Sequence, residues 1–148
     1  MAIINVSSSI FYRHALDLGS KKHDYTTDTI KVALLKSIPV AGATDITYAT
    51  IVTPNEVTGS GYVVGGKSTT ASWVMNNDKA VLDLTDLTWT VDASGPTDIQ
   101  ALVVYNDTSK QCIAFADIRA PGNQDLSLQA GDVTVSFNVL GLYSLSMI

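Results

Sequence analysis

Few side chains in this 148-residue chain could carry chemistry: it has two histidines, His14 and His23, one cysteine, Cys112, and one glutamate, Glu56. Nucleophilic catalysis needs a Ser, Cys or Thr beside a base, yet no GxSxG elbow occurs. His14 falls in a predicted helix and reads as a helix-face residue bonded to backbone or solvent. His23 precedes Asp24 in the following loop and reads as half of a solvated pair. No two histidines stand at i and i+4, so a zinc helix is absent. Asp83 and Asp86 are the nearest candidates for a glycosidase carboxylate pair. Three residues apart on one strand, they point to opposite faces unless a bulge intervenes. Asp24, Asp28, Asp83 and Asp86 could offer oxygens to calcium, but no spaced DxDxDG loop is present. Gly59-Ser60-Gly61 and Gly65-Gly66 lack the lysine and following helix of a phosphate loop and read as turns. The lone Cys112, inside the apolar run Cys112-Ile113-Ala114-Phe115-Ala116, excludes an intrachain disulfide and a CxxC site; a buried, inert thiol is expected. The expectation is therefore no enzyme, no cofactor and no metal.

Aromatic residues offer the remaining chemistry. Trp73, Trp89, Tyr105, Phe115 and Phe137 stand at strand positions, where core packing is the ordinary use. An exposed ring among them would instead suit a carbohydrate. Loss of glycan binding on Trp73→Ala or Trp89→Ala would mark that case.

The elements that must position these residues are strands. Of fourteen acidic residues thirteen are Asp, which favours turns and caps, and Val, Ile and Thr together supply 42 residues, which suit a pleated surface. One domain over residues 1–148 is expected, burying about 68% of the chain's surface. Residues 7–18 carry the best helical signal, with Ser7 to Ser9 to cap it, Phe11, Ala15 and Leu18 on one stripe, and Gly19 to stop it. Ile30, Val32 and Leu34 then alternate as a strand, and a weaker β segment spans 46–52. Gly65-Gly66 suits a tight hairpin turn between 62–64 and 68–75, and residues 76–79 form a second turn. Residues 81–91 read as one long strand whose phase slips, as a bulge at 83–86 would produce. Residues 99–105 and 111–118 make the clearest hairpin. The first of these is nearly continuous apolar, as for a strand covered on both faces. Strict alternation then runs through Val133, Val135, Phe137 and Val139. The sum is a mainly β chain: an antiparallel β-sandwich, jelly-roll or Ig-like, of about eight strands with one short N-terminal helix.

Nine Lys and Arg against fourteen acids give a net charge of −5, and the basic residues are scattered. This argues against nucleic acid or an anionic membrane as partner. The N-terminus lacks a basic n-region and a long apolar h-region, and no stretch approaches the ~20 apolar residues of a membrane span. Synthesis and folding in a cytoplasm are expected.

The order of segments resembles a family of small tailed-bacteriophage virion proteins. The resemblance is carried by Ala15-Leu16-Asp17-Leu18-Gly19, Asp28-Thr29-Ile30-Lys31-Val32-Ala33-Leu34-Leu35, Val63-Val64-Gly65-Gly66-Lys67, Ala101-Leu102-Val103-Val104-Tyr105-Asn106-Asp107-Thr108 and Ile113-Ala114-Phe115-Ala116-Asp117-Ile118. It covers about residues 8 to 140 and implies a structural part of the particle, with no catalytic residues. The loop over 37–53 is shorter and less helical than the family's pattern, and the tail after Gly141 is more apolar. The expected role is a capsid decoration, or cement, protein on the outside of the head. Its partners would be the major capsid protein and its own copies as a homotrimer, which suits local threefold positions. The alternatives are a tail, neck or head-fibre component and a carbohydrate-binding sandwich module. The short apolar arms, 1–6 and 142–148, either pack on a neighbouring subunit or add edge strands to their own domain. The candidate interface residues are Ile3, Ile4, Val6, Tyr143, Leu145, Met147 and Ile148.

Overall fold

The computed structural model describes residues 2–138 and 141–146. The chain is mainly β, built from several sheets that do not close into a barrel. In chain order the elements are β1 (Ala2–Asn5), β2 (Ser9–Ile10), α1 (His14–Gly19), β3 (Ile30–Leu35), α2 (Tyr48–Ile51), β4 (Lys67–Thr69) and β5 (Ala71–Asn76). Then follow β6 (Lys79–Leu84), β7 (Leu87–Val91), β8 (Ala101–Asn106), β9 (Gln111–Asp117), β10 (Gly131–Ser136) and β11 (Tyr143–Ser146). They form a five-stranded sheet, β2-β9-β8-β3-β4, and two three-stranded sheets, β1-β10-β7 and β11-β6-β5.

Alternation along the strands decides how these sheets pack. Val32, Leu34, Leu102 and Val104 project from one face of the five-stranded sheet. They share a core with Leu82 and Leu84 of β6, Leu87 and Trp89 of β7, and Val133 and Val135 of β10. Ala33, Leu35, Val103 and Tyr105 project from the opposite face and pack with Phe11, Ile46, Ile51 and Val52. The central sheet is thus covered on both sides, and β8 is buried along its whole length, as its nearly continuous apolar sequence requires. The β8–β9 register steps from Val104–Ala114 to Tyr105–Cys112, which leaves Ile113 as the extra residue of a bulge.

Several expectations need correction. Residues 46–52 hold a helical turn rather than a strand: Asp45 accepts from the Thr47 amide at 3.0 Å and from Thr50 Oγ1 at 2.9 Å, and folds the chain at the start of α2. Ser7 to Ser9 do not cap α1. Ser9 and Ile10 pair instead with Phe115 and Ala114, and the helix starts at His14 with no side-chain cap. Its buried face is His14 and Asp17, while Ala15 is exposed. Gly19 is its last residue, and Lys21, at φ 57, takes the left-handed position that ends it. Residues 62–64 form no strand, and β4, beyond Gly65-Gly66, pairs with β3. Residues 68–75 divide between β4 and β5, which lie in different sheets. Not every pair is antiparallel, since β1 runs parallel to β10.

The phase slip over 83–86 is a break rather than a bulge. β6 ends at Leu84 and β7 begins at Leu87, and the chain changes sheet between them. Asp86 secures the crossing by accepting from Ser136 Oγ and from the Phe137 amide, each at 2.9 Å. Asp86→Ala is expected to cost about 1 to 2 kcal/mol in urea unfolding through loss of these two bonds. A variant as stable as the parent would show that β10 holds the crossing without it.

Candidate functional site

The polar residues that the core does not explain converge where α1, the 20–29 loop, β5 and β11 meet. Residues i and i+3 of a helix share a face, so α1 sends both His14 and Asp17 inward, 2% and 3% exposed. In the loop, Asp24 accepts from the Thr26 amide at 3.0 Å and from Thr26 Oγ1 at 2.5 Å, while its own amide donates to Asp28 at 2.8 Å. The hydroxyl and amide of Thr26 hold the Asp24 carboxyl below the ordinary carboxylate range. This compact turn buries Tyr25. From β11, Tyr143 donates to the Tyr25 oxygen at 3.0 Å, and the two hydroxyls lie 2.9 and 3.0 Å from His14 Nε2.

Burial, reinforced by the nearby His23, draws His14 down to about 4. It is therefore a neutral imidazole near pH 7, with Nε2 within hydrogen-bond distance of both tyrosine hydroxyls. Burial also pushes Tyr143 up to about 12 and Tyr25 higher still, so both phenols keep their protons.

His23 lies beside His14 with ring centroids 4.9 Å apart and stacks on Tyr25 at 5.6 Å and 13°. The fully buried Asn106 fixes its tautomer. The Asn106 amide group donates to Asp28 at 2.6 Å and to His23 Nδ1 at 3.1 Å, and its carbonyl accepts from the Thr108 and Ser109 amides. An accepting Nδ1 leaves the His23 proton on Nε2. Burial lowers His23 as well, opposed by Asp17 and Asp28. Three buried atoms of this cluster have no hydrogen-bond partner among the described residues: His14 Nδ1, Asp17 Oδ2 and His23 Nε2.

Two grooves flank the cluster. One, of about 560 Å³ and mostly apolar, runs between β11 and α1, lined by Ile10, Tyr12, Ala15, Leu18, Tyr143 and Leu145 among others. The second, of about 460 Å³, mixes apolar and polar groups: Leu18, Lys21, His23, Asp24, Tyr25, Thr26 and Trp73.

Neither histidine hydrogen-bonds a serine, threonine or cysteine among the described residues, and none of their His, Cys, Asp and Glu side chains form a group of three that could hold a metal ion. The cluster orients rings and anchors β11. His14 is more engaged than a helix-face histidine, being enclosed by two tyrosines, and His23 is half-buried rather than solvated. Asp83 accepts from the Leu84 amide at 2.9 Å, and Asp86 is used at the β6–β7 crossing. Asp24 and Asp28 share the 20–29 loop, apart from both of these. Cys112 is buried, and that burial raises its thiol well above the ordinary range. Trp89 is 4% exposed and packs near Tyr62, which removes it as a surface ring; Trp73 is half-buried and borders a groove.

Both terminal arms form edge strands of their own chain's sheets. On β1 Ile4 is half-buried, and Val6 just beyond it is buried, while Ile3 is 57% exposed. On β11 Tyr143 is half-buried and Leu145 is 47% exposed. Met147 and Ile148 lie outside the described residues. Sequence reasoning passed over Asp17, Tyr25 and Asn106. The available signal was a polar Asp17 one helical turn from His14, where an apolar stripe would place a hydrophobe. Comparison with known proteins returns no matching family model, no matching curated protein and no matching solved structure, so the reading of this chain rests on its own residues.

Proposed function

We propose that this chain is a structural subunit of a tailed-bacteriophage virion, a capsid decoration protein that binds the outside of the head and ties major capsid subunits together. On this reading it is made in the bacterial host cytoplasm, assembles as a homotrimer and resides on the capsid surface. The three sheets are read as a β-sandwich of jelly-roll or Ig-like kind, because the five-stranded sheet shares a core with both smaller ones.

One observation carries the proposal: each terminal arm is an uncharged edge strand with an exposed aliphatic side chain, and β11 borders an apolar groove. Proteins commonly guard edges with charge, proline or bulges. Edges without such guards suit a chain that spends its life against neighbours. Two clusters of buried apolar residues provide the stability a particle component needs.

The test is loading of the purified chain on to undecorated shells. Ile3→Asp and Leu145→Asp place a charge on each edge without removing core residues, and the pair together is expected to reduce loading at least about tenfold. Normal loading by the double variant would overturn the role of the arms. Copy number per particle decides location: hundreds support the head surface, and a few dozen or fewer would move the protein to the tail, neck or a head fibre.

A further inference from the structure

We infer that the groove beside Trp73 is a binding site for a neutral saccharide. An indole at a groove wall offers an apolar face to the C–H face of a sugar ring, and the polar side chains around it can meet the hydroxyls. Trp73 is half-buried at its groove, whereas Trp89, which borders a smaller groove of about 350 Å³, is only 4% exposed and offers little of its ring. The groove's volume of about 460 Å³ falls within the ~300–1,000 Å³ of small-molecule sites.

Lining chemistry narrows the ligand. Lys21 supplies donors, and Asp24, whose Oδ1 already accepts from the Thr26 amide and hydroxyl, supplies a carboxylate, so donor and acceptor groups both border the groove, as suits a ligand rich in both. One cation and one carboxylate balance, which disfavours a phosphorylated or sulfated ligand. A hydrocarbon chain would find the neighbouring groove along β11 the better match. His23 borders the site, and its buried Nε2, the proton-bearing nitrogen, has no partner among the described residues.

The platform is rigid before any ligand arrives. Trp73 packs against Tyr25 at 5.4 Å and Tyr143 at 5.7 Å between ring centroids, and both tyrosines are fixed by His14. Binding to a fixed ring avoids the cost of ordering it. The buried histidine–tyrosine cluster thereby gains a role, as the support of the stacking surface.

The full-length chain is applied to an array of neutral and acidic glycans, and hits are titrated by isothermal calorimetry. Binding to neutral glycans is expected. Trp73→Ala should weaken it at least about tenfold, and Trp73→Phe, which keeps an aromatic face, less than that. Lys21→Gln and Asp24→Asn should each weaken it about two- to tenfold. Silence across the array, binding confined to acidic glycans, or neutral binding unchanged in folded Trp73→Ala overturns the inference. Should Trp73→Ala not fold, the exposed Lys21→Gln decides: unchanged affinity overturns, weakened affinity supports.

Discussion

Lowering the pH from 7 to 4 is expected to remove about 3 kcal/mol of folding stability through His14 alone. In the folded chain this imidazole is drawn from the ordinary 6.5 to about 4. Between those two values the unfolded chain holds a proton that the folded chain does not. Stability therefore falls as pH drops through that window and levels off below about 4. The cause is chiefly desolvation, since the ring is enclosed by Tyr25, Tyr143 and His23, with the nearby His23 adding to it. His23 acts with the same sign, tempered by Asp17 and Asp28. Carboxylates held below their usual range, Asp24, Asp45, Asp92, Asp107 and Asp117, lose their contributions only in more acidic solution. Urea unfolding at pH 7, 5.5 and 4 reads the slope directly. His14→Gln keeps a polar side chain without the titration, and its stability should vary much less across the window. Parallel slopes for parent and variant would refute the assignment. Because Tyr143 belongs to β11, acid should also loosen the C-terminal arm, and protease sensitivity there should rise as the slope develops.

Legibility in the sequence followed the range of the interactions. The β8–β9 hairpin was readable because each strand buries nearly every residue and the turn between them is polar. The change of sheet after β6 was visible as a phase slip over 83–86, though it looked like a bulge, since a sequence shows a broken alternation but not which sheet receives the next strand. The terminal arms were recognisable as edge strands or anchors from their uncharged apolar residues. Residues 46–52 misled because Ile46, Thr47, Ile51 and Val52 are β-branched, and Asp45 overrides that preference with two local hydrogen bonds. The His14 cluster was beyond reach: Tyr143 lies 129 residues away in sequence, and only the meeting of β11 with α1 joins the two. The turn after α1 hid for another reason. Lys21 adopts a conformation expected of glycine, and Gly19 drew attention two residues early.

Glu56→Ala should be the most damaging single change outside the two apolar cores, costing about 3 to 5 kcal/mol. The lone glutamate stands where residues 55–57 continue the sheet edge beside β3: Lys36 donates its amide to Asn55 at 2.7 Å, and Val57 donates to Leu34 at 3.0 Å. From there its carboxylate reaches across the 58–66 excursion. Oε1 accepts from the Tyr62 hydroxyl at 2.6 Å and from the Gly65 amide at 2.7 Å, and Oε2 accepts from Tyr48 at 3.3 Å. Tyr62 in turn accepts from the Leu34 amide at 3.0 Å, and burial with this carboxylate contact raises its phenol far above the ordinary range. The carbonyl of Gly65 accepts from Tyr105 at 2.5 Å. Gly66 follows at φ +74, where an added Cβ would lie 2.0 Å from the Val32 carbonyl oxygen, so the turn lies directly against the sheet. Removing the carboxylate strands a buried hydroxyl and a main-chain amide at once. Glu56→Gln retains one accepting oxygen and should lose only about 1 to 2 kcal/mol, as should Tyr62→Phe. In a double-mutant cycle, Glu56→Ala and Tyr62→Phe should fall well short of additivity, because they share one bond. Glu56→Ala within about 1 kcal/mol of the parent would mean that the glycines alone hold this turn against β3.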